Sequence, residues 1–243
     1  MVPVPVGDLP GWTQTVAQDF NGNVSPGTVA GTFPDGMYPD FSCYDGFPDT
    51  SGHGRYEPRQ VLSVHDSMLD WHLHTVNGQP LVSAVVVAVP STGWGQLYGR
   101  YAVRFRSSLM PGYKLAFLLW PDDDNWEQGE IDFPEVGSLD GSALYANMYP
   151  AGRPVLDAGS VGFRTDTAAA GSGWHTAVTT WEPGSVSYSL DGHTLGTSTA
   201  GVPSTSFHWV LQVETSIGVP PPAPGVAGHV QVDWVAMWTR KRS

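Results

Sequence analysis

Residues 126–136 read Trp126-Glu127-Gln128-Gly129-Glu130-Ile131-Asp132-Phe133-Pro134-Glu135-Val136, a run that sets carboxylates into what is otherwise a β-strand pattern. Side chains alternate faces along an extended strand, so Glu130 and Asp132 share one face while Ile131 and Phe133 share the other. Counted in the same way, Glu135 falls on the wrong face. A one-residue bulge at Phe133-Pro134 returns it to the face of Glu130, and Pro134, lacking a backbone N–H, suits a place where the ladder is already interrupted. Three carboxyls then stand in a row. Neighbouring like charges make one another harder to ionise, so a row of this kind is expected where a site needs it.

Working outward, strands lie on both sides of this run. Lys114 to Trp120 is a strongly apolar strand that leads through the Asp122-Asp123-Asp124-Asn125 loop into it, and Ala143 to Tyr149 follows it closely enough to be its neighbour in the sheet. The Asp-rich loop lacks the glycine turn and terminal Glu of a calcium-binding loop and reads as solvated. Further strands are expected at Gln60 to His65, Met68 to Thr75, Leu81 to Val89, Gln96 to Ser107, Trp174 to Thr180, Val186 to Leu190, Val210 to Glu214 and His229 to Trp238. Asn77-Gly78 and Asp191-Gly192 are hairpin signals. Residues 1–55, with turn signals at Pro34-Asp35-Gly36 and Asp45-Gly46, read as a wrapping segment with a short strand near Trp12 to Phe20. His53 to Tyr56 could reach toward a ligand, but an ordinary surface loop is the favoured reading. With no convincing helix, repeat or linker, residues 1–243 are expected to form one all-β domain, an antiparallel two-sheet β-sandwich with one curved sheet.

Composition narrows the function. Charged residues make up 14% of the chain while Gly (29) and Pro (21) are frequent, which fits many strands joined by turns. The formal charge of −12 disfavours nucleic acid and anionic membrane as partners but leaves a neutral ligand unaffected. Cys43 stands alone, so no intrachain disulfide is expected, and no run approaches membrane-spanning length. Composition leaves two origins open: a cytoplasmic protein, or a mature secreted domain preceded by a start Met.

Two carboxyls hydrolyse a glycosidic bond when one protonates the leaving oxygen and the other attacks the anomeric carbon. Across the bulge the Cα atoms of Glu130 and Glu135 are expected roughly 13 Å apart by strand rise. Side chains leaning together can narrow this to the ~5–5.5 Å carboxyl spacing of a retaining enzyme. Asp132 can hydrogen-bond to Glu130 and keep it ionised and oriented, while Glu135, facing negative neighbours, is expected to hold its proton longer. Trp94, Trp120 and Trp126 fall at strand ends or loops flanking the same face and could stack sugar rings. Arg100, close behind Trp94 and Tyr98, is the best placed of the arginines on its strand; Arg104 and Arg106 read as an ordinary solvated or paired face. On these residues alone a carboxylate cluster or a non-catalytic sugar-binding sandwich stands beside the enzyme.

The sequence resembles glycoside hydrolase family 16, with its concanavalin-like jelly roll. Tyr98-Gly99-Arg100-Tyr101-Ala102-Val103-Arg104 is similar to the strand before the catalytic one, and Gly129 to Glu135 to the bulged signature Glu-x-Asp-x-x-Glu of its laminarinase-like branch. Gly173-Trp174-His175-Thr176, Trp181-Glu182-Pro183, Tyr188, Asp191-Gly192 and Val232-Asp233-Trp234-Val235 resemble its later blocks. The resemblance implies Glu130 as nucleophile, Glu135 as general acid/base and Asp132 as the residue supporting them. It also implies a cleft at Trp120 and Trp126, and sugar contacts from Arg100 and Gln212. Asn147 and Tyr149, on the following strand, stand where that branch usually carries a His-Tyr pair; the Asn version resembles lichenases and xyloglucan enzymes. Asp233 matches an Asp that in relatives holds a structural calcium. No cofactor is expected for catalysis. The expectation is a secreted, monomeric endo-acting enzyme retaining configuration on a β-1,3- or mixed β-1,3/1,4-glucan, with β-galactan hydrolysis or transglycosylation on the same scaffold as alternatives.

Overall fold

The structure, a computed structural model, describes residues 2–28, 37–152, 159–171 and 173–241. The turn expected at Pro34-Asp35-Gly36 lies outside the described residues. Sixteen strands run in chain order as β1 (Trp12–Gln18), β2 (Phe41–Cys43), β3 (Arg55–Tyr56), β4 (Leu62–His65), β5 (Met68–Val76), β6 (Gln79–Val87), β7 (Gly99–Ser107) and β8 (Tyr113–Pro121). They continue as β9 (Glu130–Val136), β10 (Ala143–Tyr149), β11 (Val161–Ala168), β12 (His175–Glu182), β13 (Ser185–Leu190), β14 (His193–Ser198), β15 (Phe207–Thr215) and β16 (Gly228–Arg240). One helical turn, α1 (Pro58–Val61), precedes β4, where the sequence pattern suggested strand from Gln60; Pro58 opens it with a pre-set φ at a position that needs no N–H.

The strands form two layers. The front layer runs β11-β10-β9-β8-β15-β6 and the back layer β5-β16-β7-β12-β13-β14; the β5–β6 hairpin joins them. Its turn is Asn77-Gly78, both at positive φ, the conformation that lets a two-residue connection follow strand twist. Pairing is antiparallel except where β3 lies parallel to β6. This is the all-β jelly-roll sandwich expected from the sequence, with one core between the layers. In the back layer, β12 buries His175, Ala177, Thr179 and Trp181 and turns the intervening residues outward. β6 is buried from Pro80 to Val87, because the chain segment around β2 and β3 hydrogen-bonds along it as well. A smaller apolar cluster (Trp12, Ala102, Trp234, Ala236, Trp238) lies apart from the main core, packed against Val4 and Leu9. The Trp234 and Trp238 indole N–H groups donate to the carbonyls of Val2 and Gly7 there.

Candidate active site

The bulge in β9 is present and sets the site. Opposite β10, Glu130 pairs with Tyr149, Asp132 with Asn147 and Glu135 with Tyr145, so two residues separate Asp132 from Glu135 where one separates their partners. The same slip appears against β8, between Ala116↔Glu135 and Leu118↔Asp132. The extra residue falls in Phe133-Pro134, and Phe133 is buried in the core. Glu130, Asp132 and Glu135 consequently face one cavity of about 570 Å³ on the front layer.

Each member of the row is held differently. Trp126 sits in a single 3₁₀ turn capped by Asn125, whose side chain accepts from the Glu127 N–H. From there its indole Nε1 donates to Glu130 Oε2 at 2.9 Å. Asn147 Nδ2 donates to Glu135 Oε2 at 2.5 Å. Asp132, 2% exposed, lies between them, and its Oδ1 has no hydrogen-bond partner. Burial, then the charges of Glu130 and Glu135, then interaction with Glu130 push the Asp132 carboxyl well above the usual range. Burial also raises Glu130, opposed by the Trp126 and Asp132 hydrogen bonds, reinforced by Glu135 and opposed by the Lys114 charge. Of the two carboxyls Asp132 is pushed further toward its protonated form, the form in which it can donate toward Glu130. That answers both the orphaned Asp132 oxygen and the repulsion within the row.

Aromatics enclose the row. Trp120, the next-to-last residue of β8, donates its Nε1–H to Asp124 at 3.0 Å, and Trp126 and Tyr149 meet with ring centroids 5.8 Å apart. Trp120, Trp126, Tyr149 and Gln212 all line the cavity. Asp123 accepts two bonds from Gln128, so the acidic loop is organised around the site's own turn.

A second wall was not foreseen. Tyr44, Phe47, Pro48, Asp49 and Thr50 line the cavity from the segment read as wrapping, and Tyr56 lines it from the stretch for which an ordinary surface loop was favoured over one that reaches a ligand. Tyr56 reaches Glu214 with its hydroxyl, and Glu214 forms an ion pair with Lys114 at 3.0 Å. The legible signal was the single Lys at the head of an apolar strand.

Three expected site residues lie elsewhere. Arg100 is on β7 in the back layer, opposite Thr180 and Trp238, and its Nη1 donates to Thr180 Oγ1 at 2.7 Å. Strand parity gave its face correctly, but the face belongs to the layer that does not carry the row. Trp94, 38% exposed, does not line the cavity; it packs at a tilt against His208, 4.4 Å between centroids, and His208 is the partner of Trp120 across β8–β15. It extends the aromatic surface beyond Trp120 and leaves the reacting groups to others. Asp233 sits at a bulge of β16 with its Oδ2 2.5 Å from Arg104 Nη1. Among the described residues no group of three or more His, Cys, Asp or Glu is arranged to hold a metal. The Asp233 carboxylate, the calcium ligand that the family resemblance implied, is here paired with the Arg104 guanidinium.

Acid chemistry on a sugar suits a row whose end members are separately oriented while burial and like charge favour the protonated form of the middle one, and this places the protein among the glycoside hydrolases. A sequence profile of glycosyl hydrolases family 16 matches residues 86–235, more than half of the chain, and the protein belongs to that family. No match was found among curated proteins. Among solved structures, the chain is similar to the laminarinase from Rhodothermus marinus at 16% identity, with 96% of this chain and 100% of that one covered and a TM-score of 0.78. It is similar to a Bacillus licheniformis β-glucanase at 18% identity, covering 96% and 99%, with a TM-score of 0.72. It is also similar to the endo-β-1,3-glucanase from Pyrococcus furiosus at 13% identity, covering 100% of both chains, with a TM-score of 0.72. At these identities the likeness is one of fold.

Proposed function

We propose that the protein is an endo-β-glucanase that cleaves internal β-1,3 or mixed β-1,3/1,4 linkages with retention of configuration. The observation that carries this reading is the pair of separately held carboxyls at the two ends of the bulged row. Glu130, oriented by Trp126 and relieved by the proton on Asp132, attacks the anomeric carbon. Glu135, oriented by Asn147, gives its proton to the leaving oxygen and then takes one from the water that releases the glycosyl-enzyme. Trp120, Trp126 and Tyr149 offer flat apolar faces for sugar rings. The choice of glucan rests on similarity to structures described as a laminarinase and an endo-β-1,3-glucanase. A polymer of this kind is met outside the cell, so the enzyme is read as extracellular.

The test is reducing-end release from laminarin, barley β-glucan, xyloglucan and agarose, with the product anomer followed by NMR. Release from laminarin or barley glucan with the β-anomer formed first is expected, and Glu130→Ala or Glu135→Ala should each abolish it in a folded protein. Release from agarose alone would replace the glucan with a galactan. Binding without release from any polymer would make the protein a sugar-binding sandwich.

A further inference from the structure

A buried cation stands inside the cavity that holds the carboxylate row. Lys114 opens the face of β8 that continues through Ala116, Leu118 and Trp120, and it is the one cation among the described lining residues, which include Glu130, Asp132, Glu135 and Asp49. Its side chain is 9% exposed, with Nζ 3.0 Å from Glu214 Oε2 and 3.4 Å from Gln212 Oε1. Glu214 is fully buried and cannot follow the lysine outward. Its Oε1 accepts from the Thr50 N–H at 3.1 Å, the Thr50 hydroxyl at 2.9 Å and the Tyr56 hydroxyl. Next to it, Asp49 Oδ2 accepts from the Thr215 N–H at 2.9 Å and hydroxyl at 2.6 Å. The ammonium is thus fixed by a network that runs through both walls of the cavity.

Register brings this charge to the row. Ala116 lies between Glu135 on β9 and Gln212 on β15. Nζ reaches Gln212, the β15 neighbour of Ala116, and Glu135 is the β9 neighbour of that same alanine, so the ammonium and the row share one cavity across a small side chain. A buried ion pair is a poor way to stabilise a fold, since two apolar side chains of similar volume commonly do as well or better. Its distinctive contribution is a positive charge in a cavity otherwise lined by carboxyls.

We propose that Lys114 is a positioning residue for the reaction: held by Glu214 and Gln212, its ammonium balances the carboxylate row so that Glu130 is ionised next to two other carboxyls. The electrostatics agree with the geometry. Burial opposes the charge on Lys114, yet Glu214 above all, with Glu135 and Asp132, keeps it protonated and lifts its pKa. In return Lys114 pulls Glu130 and Asp132 down against burial. The inference rests on the assignment of Glu130 as nucleophile.

The test compares the pH profile of kcat/KM on laminarin for the wild type, Lys114→Arg, Lys114→Met and the double variant Lys114→Met/Glu214→Gln. The double variant removes both charges together and keeps the fold assayable if the single one fails to fold, as circular dichroism will show. The Met variants should carry their acid limb to higher pH, on the order of one unit for the single variant and less for the double, with Lys114→Arg near wild type. A folded double variant whose acid limb coincides with that of the wild type overturns the proposal, whatever its KM. Activity surviving in Glu130→Ala would instead overturn the nucleophile assignment, a separate result.

Discussion

Asn147 lies opposite Asp132 in the β9–β10 ladder, yet its amide bonds to Glu135, at 2.5 Å. The bulge makes this possible by drawing Glu135 back onto the face of the row, within reach of the side chain paired with its neighbour. The amide donor fixes one carboxyl oxygen and leaves the other free to meet the glycosidic oxygen. Asn147→Ala removes the hydrogen bond that orients Glu135 and leaves its acceptor oxygen unsatisfied, a loss of roughly 1–3 kcal/mol. We expect kcat/KM to fall about tenfold to a hundredfold with little change in Tm, measured by initial rates on laminarin and by thermal melting. Unchanged kinetics would remove Asn147 from the machinery.

Trp126 supports the opposite end. Its indole N–H favours the ionised form of Glu130 and works against burial, the larger influence on that carboxyl. Since the nucleophile must be ionised, the acid limb of kcat/KM should lie above the ordinary Glu value of 4.5. Trp126→Phe keeps an aromatic surface and deletes the donor, so Glu130 should titrate higher still. A limb displaced upward by about one pH unit or more is the expected reading of the profile. A change confined to KM would mean that Trp126 serves sugar stacking alone.

What could be read from the sequence divides along physical lines. The bulge was legible because parity in a strand is strict and Pro134 marks where the ladder can break. Strand positions were legible for the same reason, through alternation and turn residues such as Asn77-Gly78. The wall formed by Tyr44 to Thr50 and Tyr56 was not, because a segment of turns and isolated aromatics has no period to project. β11 and β14 also escaped notice: β11 buries only Thr165 and β14 has Leu195 as its one large apolar side chain, so neither carries a clean apolar stripe. Arg100 shows a further limit, since alternation assigns a side chain to a face but leaves open which layer that face belongs to.

The Arg104–Asp233 pair ties β7 to β16 in the back layer, with Arg104 and Arg106 each 4.6 Å from the centre of the Trp174 ring. Asp233 is 4% exposed, so Arg104→Met leaves a carboxylate that neither water nor a cation satisfies. A loss of about 3–5 kcal/mol is expected for breaking such a pair from one side. Equilibrium urea unfolding should register it, while kcat of the folded variant stays near wild type because the pair touches no cavity residue. Adding EDTA or calcium should leave the wild-type Tm in place. A Tm that rises with calcium in the wild type would mean that the ion displaces the guanidinium.

Asp132 joins stability to the chemistry, and the sign of its effect can be worked out. Its folded-state pKa is raised well above 3.8 by burial and by its neighbours, whereas the unfolded chain titrates near that ordinary value. The folded protein therefore binds a proton that the unfolded chain has already released. Stability from this group is fully present below the unfolded pKa and is lost as pH rises toward the folded one. Asp132→Asn supplies a neutral side chain at every pH, with an N–H that can still donate toward Glu130. The variant should melt higher than wild type at pH 7, by about 2–4 °C for each 1 kcal/mol gained in a chain of this size, and the gap should narrow as pH falls toward 4. Its turnover should fall, but less than that of Glu130→Ala, because the hydrogen bond to the nucleophile survives while the movable proton does not. Melting curves from pH 4 to 8 decide the matter: a variant that is less stable than wild type at pH 7 would mean that Asp132 is ionised and favourably held in the folded protein, and the proton would have to be placed elsewhere in the row.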